Sequence, residues 1–347
     1  TPEQLREACD YAVCYLNSLG YTGFKEPMAD EAILQAYAAA CDAGTWNIHG
    51  AAHITAYSAL TDGAVPMEEI NHLRDTYARD DLRLEYAKLF LDGVAPSHTA
   101  SFLDPYQAAV GYDPSTHDPD ATLLMAPDQL CAKVTELDRA GYVVKMHAVG
   151  DNAVRKGLDA IEAARRCNGP SGLRHEIAHT AFVTDVDLPR FAALDAVAEM
   201  SPKLWMPNAA TPSQRGVLSD AQMARLHRMR DLADAGAEMI FGTDWPASAP
   251  DANPWTGLAG MLDRRDPAGN YAGAINPEQA IPLEMALTLF TRNAARAMGM
   301  AGQTSVLSAG AWADFIILAD DIRTMTPAQI GAIEVQETIW KGQTVFA

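Results

Sequence analysis

The sequence predicts an α/β fold, in which strands and helices alternate along the chain. From Tyr21 to Asp244, short apolar or β-branched runs alternate with longer amphipathic stretches, separated by Gly or Asp. This region contains about seven strand–helix units, one fewer than the eight that close an α/β barrel. From Leu307 the pattern changes to the short apolar runs 313–318 and 338–346, which predict a separate small sheet.

The predicted elements follow from hydrophobic spacing and from capping residues. Asp30 caps an Ala-rich helix and Gly44 ends it, for example. Helices are predicted at 2–19, 30–43, 68–78, 128–140, 152–166, 185–194, 220–235 and within 277–299. Strands are predicted at 21–24, 46–57, 84–91, 143–146, 174–179, 196–200 and 239–241. The stretches 95–126 and 202–217 show no periodicity, which is typical of long binding loops or lids.

Composition excludes some classes of partner. The 347 residues allow one large α/β domain or two domains. The net charge of −19 argues against nucleic acid or an anionic membrane as a partner, and no apolar run is long enough to span a bilayer. The five cysteines form no Cys-x-x-Cys pair, which favours buried free thiols in a reducing compartment over disulfides. We therefore expect a cytoplasmic protein.

Four predicted strands present a polar residue at or near their carboxyl ends. They are Lys88 in AKLFLDG, His147 in VKMHAVGD, His179 in EIAHT and Asp244 in MIFGTDWP. In an α/β barrel these strand ends meet at the mouth, where active sites lie. Imidazole and carboxylate ligands suit a divalent ion such as zinc, which lowers the pKa of a bound water to about 7 and polarises a carbonyl. A carboxylate beside it could pass the proton to a leaving amine.

Each of these residues also has a structural interpretation. His147 could be a hydrogen-bonded core histidine, and His175 competes with His179 for any functional role. Lys88 could lie at the surface, although an unpaired ammonium is costly in an apolar strand. Asp244 could cap a turn. If all four residues were purely structural, their placement at equivalent strand ends would be a coincidence. We therefore favour a shared site.

The motifs together resemble the amidohydrolase superfamily of metal-dependent hydrolases, in particular the branch of N-substituted formamide deformylases and D-aminoacylase-like enzymes. The matching segments occur in the family's order, at 87–93, 146–151, 177–179, 241–246, 291–295 and 310–318. The resemblance covers nearly the whole chain. It implies a TIM-type (β/α)8 barrel at 1–300 and, at 301–347, the C-terminal strands of a small β-sandwich domain.

The resemblance also implies roles for individual residues. Lys88 would be carboxylated and would bind metal together with His147 and His179. Asp244 would be the general base and a further ligand, and the cofactor would be one or two divalent ions, expected to be zinc.

Five other residues are candidates for supporting roles. By the same resemblance, Asp92 and Asp151 would support the metal ligands or contact the substrate. Trp205, Met206 and Trp245 follow strand ends and could line an apolar part of the pocket, although plain packing would equally explain them.

One feature of the family is missing from this sequence. The family's first barrel strand carries a His-x-His pair that binds the buried metal, and no His-x-His occurs here. His49 and His53 are four residues apart on the predicted strand 46–57, which is the third strand when the missing first one is counted. We expect them to be structural or rim residues. We expect the first strand to lie upstream of Thr1, to be lost, or to be supplied by another polypeptide. The two open barrel edges would then need cover, for example from a second copy of the chain.

Three functional hypotheses remain open at this point. The favoured one is metal-dependent hydrolysis of a C–N bond in a small amide or formamide, with an activated hydroxide as nucleophile and Asp244 as proton shuttle. The second is a truncated, inactive fragment or partner subunit, which measured metal content would distinguish. The third is a Schiff-base lyase that uses Lys88, against which the two strand-end histidines argue.

Overall fold

The structure, a computed structural model, describes residues 1–58, 63–109 and 111–347. Its main sheet is parallel, with strand order β1-β2-β4-β5-β6-β7-β8, and the short β3 pairs antiparallel with the end of β2. The strands are β1 (Gly23–Ala29), β2 (His49–Ser58), β3 (Gly63–Ala64), β4 (Leu82–Phe90), β5 (Val143–Ala148), β6 (Glu176–His179), β7 (Val197–Met200) and β8 (Glu238–Phe241).

Helices connect the parallel strands, which confirms the predicted α/β fold. They are α1 (Pro2–Ser18), α2 (Glu31–Ala43), α3 (Met67–Tyr77), α4 (Pro127–Arg139), α5 (Asp151–Asn168), α6 (Leu188–Ala193), α7 (Thr211–Val217), α8 (Asp220–Met223), α9 (Met229–Asp234), α10 (Pro254–Asp263), α11 (Leu283–Phe290), α12 (Arg292–Ala297) and α13 (Pro327–Gly331). No helix of the described part is both long and apolar enough to cross a bilayer.

The curled sheet is open on one side. Its seven parallel strands form a TIM-type half-barrel, and within the described ranges no ladder joins β1 to β8. We call the space between these two strands the seam. Because unpaired strand edges offer free backbone donors and acceptors, the seam is where another strand could pair.

A small antiparallel sheet follows the half-barrel, as predicted. It contains β9 (Phe315–Leu318), β10 (Val335–Trp340) and β11 (Gln343–Phe346), with β10 in the centre. It packs on α1, where the Thr338 hydroxyl donates to the Asn17 carbonyl at 2.7 Å. The division of the chain at residue 300 remains a prediction.

Two predicted elements were wrong in detail. The helix predicted at 220–235 is divided into α8 and α9, because the His227 N–H bonds the Ala181 carbonyl at 2.7 Å and His227 takes a φ of 46°. The predicted loop 202–217 ends in helix α7. All five cysteines are free, as predicted, but only Cys9 is buried.

A buried polar cluster ties α4 and α5 to the amino ends of the strands. The Asp138 carboxylate accepts hydrogen bonds from Ser171 at 2.6 Å, Asn168 at 2.8 Å and Arg165 at 2.9 Å. His175 accepts the Val144 N–H at Nδ1 and therefore donates from Nε2 to Asp138 at 3.0 Å. This contact gives His175 a structural role and removes it as a rival to His179.

We expect replacement of Asp138 by Asn to lower the free energy of unfolding at pH 7 by about 3–5 kcal/mol, because buried donors lose an anionic partner. Burial favours the neutral acid, but the hydrogen bonds outweigh it and hold the pKa of Asp138 well below its usual value. The stabilisation is therefore complete above the unfolded-state pKa of about 3.9 and is lost as the pH falls below it.

Denaturant unfolding at pH 7 and pH 3 checks this. The difference in the free energy of unfolding between the parent and D138N should be smaller at pH 3 than at pH 7. Asp159→Asn, which removes an exposed partner of Arg190, should change stability by about 1 kcal/mol or less. A D138N variant as stable as the parent at pH 7 would contradict the prediction.

Candidate active site

Two of the four predicted site residues are in direct contact. His147 lies on β5 and His179 ends β6, and the ladder between these parallel strands brings their side chains to the same edge of the sheet. His147 Nδ1 and His179 Nε2 are 2.9 Å apart. The rings meet edge to face, with centroids 4.4 Å apart.

A hydrogen bond beside the pair assigns the ring proton of His147. His147 Nε2 lies 3.1 Å from the Gly93 carbonyl, which only accepts, so Nε2 carries a proton. His147 Nδ1 is then unprotonated in the neutral ring and faces His179 Nε2. His179 Nδ1 lies between two groups of Ser201, the hydroxyl at 3.2 Å and the carbonyl at 3.3 Å. Burial lowers the pKa of His147 well below its usual value, as do the nearby His179 and Lys88. Burial also lowers the pKa of His179, so both rings are neutral at neutral pH.

Lys88 lies on β4, buried within the barrel and 3% exposed. Its ammonium lies 4.7 Å from the centre of the Phe90 ring. Burial, reinforced by the neighbouring Lys145 ammonium, lowers the pKa of Lys88 to about 8, although Glu199 and Asp244 oppose the shift. The lysine is therefore partly neutral near pH 8 and close enough to the histidines for its charge to lower their pKa values.

Asp244 follows β8 and lies at the same end of the sheet. Its φ of 59° is left-handed, a conformation that Asp and Asn tolerate better than most residues. Its carboxylate accepts a hydrogen bond from the Ser248 hydroxyl. Burial lowers the pKa values of Lys88 and His179, and the negative charge of Asp244 offsets a small part of this lowering. Asp244 therefore lies in their neighbourhood.

Asp92 supports the strand end that carries His147. Its carboxylate accepts the backbone N–H groups of Val149 at 3.0 Å, Gly150 at 2.8 Å and Ser101 at 2.9 Å. Burial raises the pKa of Asp92 to about 7, even though these three donors favour the carboxylate. Its Oδ1 lies 3.6 Å from His147 Nε2, so Asp92 shapes the turn beside the histidine.

Asp151 connects the irregular stretch 95–126 to the segment that follows α8. It accepts the Leu103 N–H at 2.8 Å and pairs with Arg225 at 2.7 Å, and Arg225 also contacts Asp104 at 3.1 Å. The Asp151 side chain is fully buried. It therefore holds the loop after β4 against the segment after α8, near the barrel mouth.

Two histidines that the sequence separated from the site have structural partners. His49 Nε2 lies 2.9 Å from Asp314, and its ring stacks on Trp312 with centroids 4.7 Å apart. His53 is fully buried inside the barrel, not at its rim, and its Nδ1 lies 2.8 Å from the Glu26 carbonyl.

Sequence reasoning missed a chain of alternating charges inside the barrel. Lys145 lies 3.3 Å from Glu176 and 4.0 Å from Glu199, and Lys25 pairs with the other oxygen of Glu176. We call Lys25, Glu176, Lys145 and Glu199 the interior ion-pair chain. Barrel interiors are usually filled by branched apolar side chains. One feature of the sequence could have predicted an interior charge. Lys145 is two residues before His147, so both side chains point to the same face of β5.

A cavity of about 300 Å³ occupies the seam. Lys145 and Glu199 are among its lining residues, with Thr243 and Trp245 from the loop that carries Asp244. Trp245 therefore lines this cavity, whose lining residues do not include Lys88, His147, His179 or Asp244, so its role in a substrate pocket remains a prediction. Trp205, in contrast, is fully buried and donates to the Gly257 carbonyl at 3.2 Å, which is a packing role.

The histidine pair fits one divalent ion in part. Two imidazole nitrogens on a tetrahedral zinc, each about 2.0–2.1 Å from the metal, are about 3.3 Å apart. The observed 2.9 Å is close to this value. Within the described ranges, no three or more His, Cys, Asp or Glu side chains are spaced to hold a metal ion. A third donor from those ranges would have to come from Lys88 after carboxylation or from a movement of Asp244.

The fold and the position of these side chains define an α/β-barrel protein with a histidine pair at the carboxyl ends of its strands. The chain belongs to the amidohydrolase family, whose profile matches residues 1–346.

Individual relatives agree with this assignment. YtcJ of Bacillus subtilis, whose name describes it provisionally as an amidohydrolase, is 29% identical over 265 residues, 75% of this chain and 46% of YtcJ. N-substituted formamide deformylase of Arthrobacter pascens is 27% identical over 210 residues, 59% of this chain and 36% of the deformylase. The chain thus spans less than half the length of these two relatives.

A solved structure shows the same fold. It is an uncharacterised metal-dependent hydrolase from Pyrococcus horikoshii, which superposes with a TM-score of 0.74 at 24% identity over 94% of this chain and 62% of that protein. At this identity the likeness concerns the fold alone.

Proposed function

We propose that this protein is a metal-dependent hydrolase that cleaves a C–N bond in a small amide or formamide. The observation that carries the proposal is the 2.9 Å contact between the neutral His147 and His179 at the strand ends. Family membership supports hydrolysis, and the name of the formamide deformylase relative supports formamides as the first substrates to test.

His147 Nδ1 and His179 Nε2 would hold the ion, expected to be zinc, with Lys88 and Asp244 as the next donors. A divalent ion would polarise the substrate carbonyl and lower the pKa of an attacking water. Lys88 would contribute as a carbamate, formed when its neutral amine adds carbon dioxide and releases a proton. Its lowered pKa, about 8, supports this modification because only the neutral amine reacts. We expect one or two ions to bind.

Asp244 would accept the proton of the attacking water and deliver it to the leaving amine. Its hydrogen bond from Ser248 limits the rotation of the carboxylate. The cavity beside the Asp244 loop, with Trp245 in its wall, would accept the apolar part of the substrate. We propose that this activity is cytoplasmic, because free thiols suit a reducing compartment. We expect no nucleic-acid or membrane partner, given the acidic composition.

We also propose that another polypeptide segment covers the seam in the active protein. Both seam edges are free in the described sheet, and the cavity between them exposes charged groups of the barrel interior. The segment would come from a longer form of this chain, from a second copy in a homo-oligomer, or from another chain.

Metal content tests the proposed function directly. We expect the purified chain to bind one or two divalent ions, and His147→Ala to lose the ion and any hydrolysis of an N-substituted formamide. His72→Ala, which removes an exposed histidine on α3, should retain both. A parent chain that binds no metal would favour the inactive fragment. Borohydride trapping of a carbonyl compound on Lys88 would favour the Schiff-base lyase instead.

A further inference from the structure

His179 leaves the sheet in an unusual backbone conformation. Its φ is 71°, and the following Thr180 has a φ of 41°. Left-handed conformations are unfavourable for non-glycine residues and persist only when surrounding contacts fix them. The ladder between β6 and β7 pairs only Glu176 with Val197 and Ile177 with Ala198, so it stops before His179.

The Glu199 side chain replaces the missing ladder contact. Its Oε2 accepts the His179 backbone N–H at 3.1 Å. This bond connects β7 to the last residue of β6, at the point where the chain turns out of the sheet. Since the direction of the His179 side chain depends on its backbone, the bond also fixes where Nε2 points.

Two features hold the Glu199 carboxylate in place. A Cβ on Gly242, the residue after β8, would lie 2.1 Å from Glu199 Oε1, so the backbone passes the carboxylate as closely as a glycine permits. The Lys145 ammonium lies 4.0 Å from the same oxygen, and the interior ion-pair chain continues from Lys145 through Glu176 to Lys25. Lys25 donates to the Ala297 carbonyl at 3.2 Å, which anchors the far end of the chain.

We propose that Glu199 is a positioning residue, whose carboxylate fixes the backbone of His179 so that Nε2 faces His147 Nδ1. The effect of Glu199 on metal binding rests on the proposed function, whereas its effect on the His179 backbone does not. In this role Glu199 acts through the His179 backbone, although its side chain also lines the seam cavity.

A matched pair of variants isolates the hydrogen bond from the charge. Lys145→Met/Glu199→Gln and Lys145→Met/Glu199→Leu both remove the Lys145–Glu199 ion pair, but only Gln retains an oxygen acceptor for the His179 N–H. In the metal-free proteins, we expect the His179 amide to exchange with solvent about three- to tenfold faster in the Leu variant than in the Gln variant. Its ring nitrogen chemical shifts should change as the contact with His147 loosens.

Zinc affinity, measured by competition with a chromophoric chelator, gives the second readout. We expect about 10- to 100-fold weaker binding in the Leu variant than in the Gln variant, as for other groups that orient metal ligands. Equal amide exchange and equal affinity in the two variants would overturn the proposal, because only a charge-balancing role would then remain.

Two further outcomes separate the proposals. If the parent binds no zinc, the proposed function fails, and His179 amide exchange alone decides the role of Glu199. If the double variants do not fold, Glu199→Asp replaces them as the test. This variant retains the negative charge but places the carboxylate one methylene farther from the His179 N–H. Faster exchange of the His179 amide in this variant supports the proposal, and unchanged exchange overturns it.

Discussion

Replacing Asp244 with Asn is expected to lower kcat for amide hydrolysis about 10²- to 10⁴-fold, the range for loss of a positioned proton-transfer group. The amide has nearly the same shape and can still accept the hydrogen bond from Ser248. It cannot accept a proton from water at neutral pH. Asn also tolerates the left-handed φ of 59° found at Asp244, so the substitution should not strain the backbone.

Asp195→Asn provides a matched control for this prediction. Asp195 also has a left-handed φ, of 50°, and its carboxylate is exposed beside Arg174. We expect this control to retain activity, and D244N to retain its metal content. Hydrolysis by D244N within about threefold of the parent would show that another group moves the proton. Loss of the metal from D244N would make Asp244 mainly a ligand.

The sequence predicted the residues of the candidate site better than it predicted the contacts that hold them in position. Lys88, His147, His179 and Asp244 could be found because each follows an apolar run, and parallel strands bring their carboxyl ends to one edge. The structure places His147 against His179, with Lys88 and Asp244 in electrostatic range. The roles of these residues as ligands remain predictions.

The supporting contacts depend on strand register, which a single sequence does not determine. Glu199 reaches His179 only because β7 and β6 are aligned at Ile177 and Ala198. The interior ion-pair chain likewise combines residues from four strands, so no local pattern could reveal it. The break between α8 and α9 has the same origin, since the Ala181 carbonyl takes the His227 N–H out of the helix.

Replacing Gly150 with Ala should lower the free energy of unfolding by about 3 kcal/mol or more, at the upper end of the range for overpacking. A Cβ at this position would lie 2.0 Å from the Ser101 carbonyl oxygen and 2.7 Å from its backbone nitrogen. These are backbone atoms, so no side-chain rotation can relieve the clash. The φ of Gly150, −70°, suits any residue, so the requirement for glycine comes from this close approach alone.

The contact that Gly150 permits shapes the turn that follows His147. The Gly150 and Ser101 N–H groups share Oδ2 of Asp92, and the Ser101 carbonyl accepts the Asn152 N–H at 3.0 Å. A G150A chain that folds should therefore also bind zinc more weakly than the parent. Gly216→Ala is the control, because Gly216 lies in α7 with nothing within 4 Å of its added Cβ, and it should be neutral or slightly stabilising. Thermal or denaturant unfolding that showed equal stability for G150A and G216A would mean that the 95–126 loop is free to move away from the strand end, and that the position of His147 does not depend on it.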